Sequence, residues 1–136
     1  DTTSVADGTY IISAIATDNL GAQSTDTRTL VVDNGPADTV VPQITINAPL
    51  VDANLLMKIS TDVQTYASDN VGVTEVKIYM GNTLKCTIPV TSQPTISSSC
   101  VFQVPWWFWA YNFTTKAEAY DAAGNMGSTI IGVHAV

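Results

Sequence analysis

The 136-residue sequence is poor in charge: only 12% of its residues are charged, and just five are Lys or Arg. Twelve acids against those five leave a net charge of −7. That sign repels phosphate backbones and anionic lipid headgroups, so no nucleic acid or membrane-surface partner is expected. No apolar run approaches the ~20 residues of a membrane-spanning helix, and no membrane insertion is expected either. Leu is scarce beside Thr, and no segment has a convincing helical period, which turns the composition away from helices and towards strands. His134 is the one histidine. A Ser-His-Asp triad would have to use it near the end of the last strand, where a histidine ordinarily packs or faces solvent. There is no Gly-rich phosphate loop, and the acids that could form a glycosidase pair stand mostly in turns. The expectation is a chain that is not an enzyme and has no catalytic residues.

What the sequence does have is a 46% apolar content at low charge, enough to build a core and to exclude a disordered chain. Its two cysteines, Cys86 and Cys100, flank a segment rich in Ser, Thr and Pro. An even count around a turn-rich loop points to a disulfide and hence an oxidising compartment, the alternative being two buried thiols. Short apolar stretches bounded by turn residues read as strands at 10–17, 24–32, 43–48, 55–67, 73–80, 83–89, 96–104, 113–120 and 128–136. Val76, Ile78 and Met80 alternate with Lys77 and Tyr79, the period of a half-buried strand. Asp33-Asn34-Gly35-Pro36 interrupts the series as a linker.

An internal repeat organises these strands. Ala14, Ala16, Asp18 and Gly21 recur as Ala117, Ala119, Asp121 and Gly124, at an offset close to the ~100 residues of an immunoglobulin-type sandwich. Residues 37–136 therefore read as one complete domain. Residues 1–36 read as the C-terminal hairpin of a preceding similar repeat, plus a linker. The fold class expected is all-β, an immunoglobulin-like antiparallel β-sandwich preceded by that hairpin.

Ser68-Asp69-Asn70-Val71-Gly72-Val73, Val76-Lys77-Ile78-Tyr79, Gly81-Asn82, Cys86, Cys100 with Val104-Pro105, and Lys116-Ala-Glu-Ala-Tyr-Asp-Ala-Ala-Gly-Asn125 together resemble the bacterial immunoglobulin-like (Big) domains. The resemblance covers residues 40–136, and Asp7-Gly8-Thr9-Tyr10 resembles the approach to a tyrosine corner. It implies a non-catalytic structural or adhesive module of a secreted or cell-surface bacterial protein, with neighbouring Ig-like repeats or subunits as partners. Two alternatives stand beside this. One is a carbohydrate-binding accessory of a secreted hydrolase, with a polysaccharide partner; the other is a filament subunit that assembles through residues 1–34.

Two groups of residues stand out from the family pattern or from plain turn chemistry. Trp106, Trp107, Trp109 and Tyr111, with Phe108, fill a segment that is usually small and polar. They could plug the end of the sandwich, contact a protein or stack on sugar. Asp18 with Asn19, Asp69 with Asn70 and Asp121 with Asn125 lie in loops, and Asp33, Asp38 and Asp52 flank the linker. Calcium takes six to eight such oxygens, so a calcium site is one reading and turn hydrogen bonding the other. No other cofactor is expected. Asn112-Phe113-Thr114 matches a glycosylation sequon, here read as chance.

Overall fold

The computed structural model describes residues 2, 4–35, 37–105 and 112–136. It divides into two compact units, Asp1–Ala37 and Asp38–Val136. The first contains strands β1 (Gly8–Thr17) and β2 (Gln23–Val32), paired antiparallel from Gly8 with Val32 to Thr17 with Gln23. Asp18 closes the hairpin by accepting hydrogen bonds from the Leu20 and Ala22 amides, the Asx chemistry that makes Asp a turn residue. Tyr10 donates its hydroxyl to the Ala6 carbonyl at 2.8 Å. At the base, Asn34 bonds to both the Asp7 carboxylate and the Val5 carbonyl.

The second unit is built from β3 (Gln43–Ala48), β4 (Ala53–Leu55), β5 (Ser60–Met80), β6 (Thr83–Gln103), β7 (Asn112–Asp121) and β8 (Met126–Ala135). β5 and β6 are longer than the sequence pattern suggested. Residues 73–80 continue the strand before them, and 83–89 continues into 96–104, because each strand passes from one layer of the sandwich to the other. The first half of β5 pairs with β3 and the second half of β6; its second half pairs with β7 and the first half of β6. The pairing shifts register between Ser68 and Val73, where β5 changes layer. Leu55, expected to open a long strand, instead ends β4, which runs parallel to β8 at Ala53–Leu55.

Alternation then sends one set of side chains from each layer inward. Ile44, Val63 and Ala67 from one layer meet Val76, Ile78, Ala117 and Ala119 from the other. A second cluster, with Met80, Val104, Phe113 and Val133, fills the opposite end. Cys86 and Cys100 are bonded, with Cα atoms 6.1 Å apart, so the disulfide ties the first half of β6 to its second half through the core. The layers also approach closely where β8 begins. A Cβ on Gly127 would stand 1.7 Å from the Pro42 carbonyl oxygen, so only glycine fits there.

Candidate functional site

Three segments converge at one end of the second unit: the residues leading into β3, the bend of β5 and the β7–β8 turn. Each brings an aspartate. One carboxylate oxygen from each of Asp38, Asp69 and Asp121 lies within 4.8 Å of the others. Each side chain is held by hydrogen bonds of its own segment, as turn chemistry requires. Asp69 Oδ2 accepts from the Val71 and Gly72 amides at 2.9 and 2.8 Å. Asp38 Oδ1 accepts from the Val40 amide and from Asn70 Nδ2. Asp121 Oδ1 accepts from the Asn125 amide at 2.8 Å and its Oδ2 from Asn125 Nδ2 at 2.7 Å. That same Asn125 Nδ2 reaches the Asp38 carbonyl at 2.9 Å, which links two of the three segments.

These bonds leave two oxygens over. Asp38 Oδ2 and Asp69 Oδ1 are buried without a hydrogen-bond partner. Buried oxygens of ionised carboxylates are costly when unpaired, and three negative groups side by side raise that cost. No ion pair among the described residues involves any of the three. Burial alone would push the Asp121 carboxyl up. Hydrogen bonds from the Asn125 side chain and from the Asn125, Gly124 and Ala123 backbone outweigh it and hold the group below its ordinary value. Oxygens facing each other across one calcium ion, at 2.3–2.6 Å from it, stand about 5 Å apart, so the spread of the three carboxylates suits such an ion.

Of the three aspartates singled out in the sequence, Asp69 and Asp121 come together and Asp18 belongs to the other unit, where its carboxylate accepts two amides of its own turn. Asp38 takes the third place. Its only sequence signal is its position just after the linker.

A second polar cluster covers the outer face of β5 and β7. Glu118 accepts from Tyr79 Oη at 2.8 Å, Tyr120 Oη at 2.9 Å and Lys116 Nζ at 2.8 Å. Lys77 lies 4.4 Å from the centre of the Tyr120 ring and Lys116 lies 4.2 Å from that of Tyr79, so cations and rings alternate across the strands. Burial works against the Glu118 charge, and the three donors more than offset it, lowering its pKa. The same bonds raise both tyrosines, with burial adding to the effect. With every oxygen partnered, this cluster fastens two strands and offers no open ligand position.

His134 bonds through Nδ1 to Asn112 Oδ1, and its Nε2 is 3.8 Å from Asp52 Oδ1. Neither contact is a hydroxyl that a histidine base could activate. Trp106, Trp107, Trp109 and Tyr111 lie outside the described residues.

The two-layer antiparallel sandwich, with strands that switch layers and a core between them, defines an immunoglobulin-like β-sandwich module. Residues 42–125 match the family described as bacterial Ig domain, and the chain belongs to that family. No curated protein sequence matches it. Among solved structures it is similar to the fibronectin(III)-like modules of Clostridium thermocellum CbhA, with 16% identity and a TM-score of 0.54 over 68% of this chain and 94% of that one. It is also similar to a superoxide reductase (neelaredoxin) from Ignicoccus hospitalis, at 9% identity and a TM-score of 0.47 over 71% of this chain and 80% of that one, too distant to carry an argument.

Proposed function

We propose that the chain is a non-catalytic structural module of a secreted or cell-surface bacterial protein, braced by one calcium ion held by Asp38, Asp69 and Asp121. The observation that carries the calcium reading is the pair of buried, unpartnered oxygens, Asp38 Oδ2 and Asp69 Oδ1, beside a third carboxylate. A hard dication would supply what those oxygens lack and offset the mutual repulsion of the three groups. Its role would be mechanical: it would fasten the segment leading into β3 to the β5 bend and the β7–β8 turn. An extracellular setting, where calcium is abundant and disulfides persist, agrees with the Cys86–Cys100 bond.

The test is thermal unfolding of the chain in calcium, in magnesium and in chelator, followed by a broad peptidase and glycosidase panel. Calcium at 100 times its Kd should raise the midpoint by about 5–10 °C over the chelated protein, and the panel should be blank. Equal midpoints in calcium and chelator would remove the brace from the proposal. Hydrolysis abolished by a single point substitution would remove the non-catalytic role.

A further inference from the structure

We infer that the β1–β2 hairpin is the terminal hairpin of a second Ig-like repeat, and that an antiparallel strand from that repeat, upstream in the same polypeptide, pairs along the outer edge of β1. The inference does not rest on the calcium reading. It rests on the two hairpins of this chain being the same object. From Thr9 with Val31 to Thr17 with Gln23, every pair of β1–β2 has its counterpart in β7–β8, from Asn112 with His134 to Tyr120 with Met126, at one constant offset of 103. The turns share two hydrogen bonds. The Asp18 amide donates to the Ala22 carbonyl and the Ala22 amide to Asp18 Oδ1. The Asp121 amide likewise donates to the Asn125 carbonyl, and the Asn125 amide to Asp121 Oδ1. Gly21 and Gly124 hold φ of 88° and 91°, a left-handed conformation that glycine adopts without strain.

The tyrosine supplies a separate line of support. In immunoglobulin sandwiches a tyrosine at the start of the penultimate strand turns its hydroxyl back to a backbone group a few residues upstream. Tyr10 does this with Ala6, and its counterpart in the second unit is the buried Phe113.

What should cover β1 can then be read from β7. Phe113, Thr115, Ala117 and Ala119 are 7% exposed or less, whereas their counterparts Tyr10 and Ile12 are 37% and 53% exposed and all of β1 is open to solvent. The outer edge of β7 is taken by β5, from Val73 opposite Asp121 to Met80 opposite Thr115. Among the described residues no strand takes the matching edge of β1. Carried across the offset, the missing strand runs from a residue opposite Asp18 to one opposite Ile12 and places apolar side chains opposite Ala16, Ala14 and Ile12. A lone two-stranded ribbon gains too little burial to offset its ordering entropy, so this edge and face need that cover.

The experiment is residue-resolved hydrogen exchange on the 136-residue chain and on the natural chain extended upstream by about one domain, ~100 residues. In the shorter chain the β1 amides not bonded to β2 should exchange at least ~100-fold faster than their β7 counterparts, and in the longer chain the two sets should agree within ~10-fold. Ala14→Glu in the longer chain should return β1 to fast exchange and leave β7 unchanged. The inference is overturned by slow β1 exchange in a dilute, monomeric 136-residue chain, by fast β1 exchange in the extended chain, or by β1 protection that survives Ala14→Glu. Protection of the shorter chain that grows with its concentration would also overturn it, in favour of pairing between copies.

Discussion

Asp121 stands in the β7–β8 turn where Asp18 stands in the β1–β2 turn: each carboxylate accepts the amide four residues on, from Asn125 at 2.8 Å and from Ala22 at 2.9 Å. The side chain at that fourth position differs, and so does what the turn can do. Asn125 also reaches the Asp38 carbonyl, which draws the leading segment of the unit towards Asp121, whereas Ala22 has no group that could do so. One local motif thus serves as a plain turn in one hairpin and as part of a three-carboxylate cluster in the other.

The disulfide should contribute much of the stability of the second unit. Cys86 and Cys100 are 14 positions apart, and closing a loop of that size is worth roughly 3 kcal/mol in the chain-entropy model. Urea unfolding with and without reductant should show a lower midpoint for the reduced chain. Alkylation of two thiols in the unreduced protein would contradict the bond.

Glu118 is the hub of the outer β5–β7 face. Glu118→Gln keeps an acceptor for one tyrosine but leaves Lys116 without its anion, at a cost of about 1–2 kcal/mol. Denaturant unfolding at neutral pH should show that loss, and an unchanged midpoint would mean that solvent substitutes for the hub.

The same group sets the acid limb of stability. Glu118 and Asp121 bind protons less tightly when folded than their ordinary values of 4.5 and 3.8 imply. The unfolded chain therefore takes up more protons in acid. The stability these groups give is complete above those ordinary values and is lost as pH falls through the lower folded ones. Tyr79 and Tyr120 are raised, so their contribution is present below 10.0 and lost at higher pH. Unfolding free energy measured from pH 2 to 8 should fall below about pH 4, more shallowly in Glu118→Gln.

Gly127→Ala should be among the most damaging single-methyl additions, because the new Cβ would meet the Pro42 backbone at 1.7 Å rather than a movable side chain. A loss of about 1–3 kcal/mol is expected from chemical unfolding. The equally small change at Gly132, whose Cβ would meet only the Asp52 carboxylate at 3.7 Å, should cost much less.

The sequence made the two hairpins legible because their turns carry Asp and Gly at fixed spacing, and the alternation around Val76 and Ile78 marked a half-buried strand. It did not reveal that 60–80 is one strand, since a strand that crosses between layers keeps its alternation on each side and breaks it only at the Ser68–Val73 shift. The aspartate cluster was half legible. Asp69 and Asp121 carry local turn signals, and so does Asp18, which those signals cannot tell from Asp121. Asp38 joins them through tertiary packing across 31 and 83 residues of chain, a relation that no local pattern records.

The most direct test of the calcium-braced module is equilibrium calcium binding to the purified chain by titration calorimetry, with Asp69→Asn in parallel. Asn at position 69 retains an acceptor for the Val71 and Gly72 amides but removes the charge beside Asp38 and Asp121. The expected result is one calcium ion per chain in the unmodified protein and at least ~10-fold weaker binding in the variant, whose thermal midpoint in chelator stays level or rises as repulsion is relieved. Absence of calcium binding at millimolar concentration, or binding unchanged by Asp69→Asn, would contradict the account.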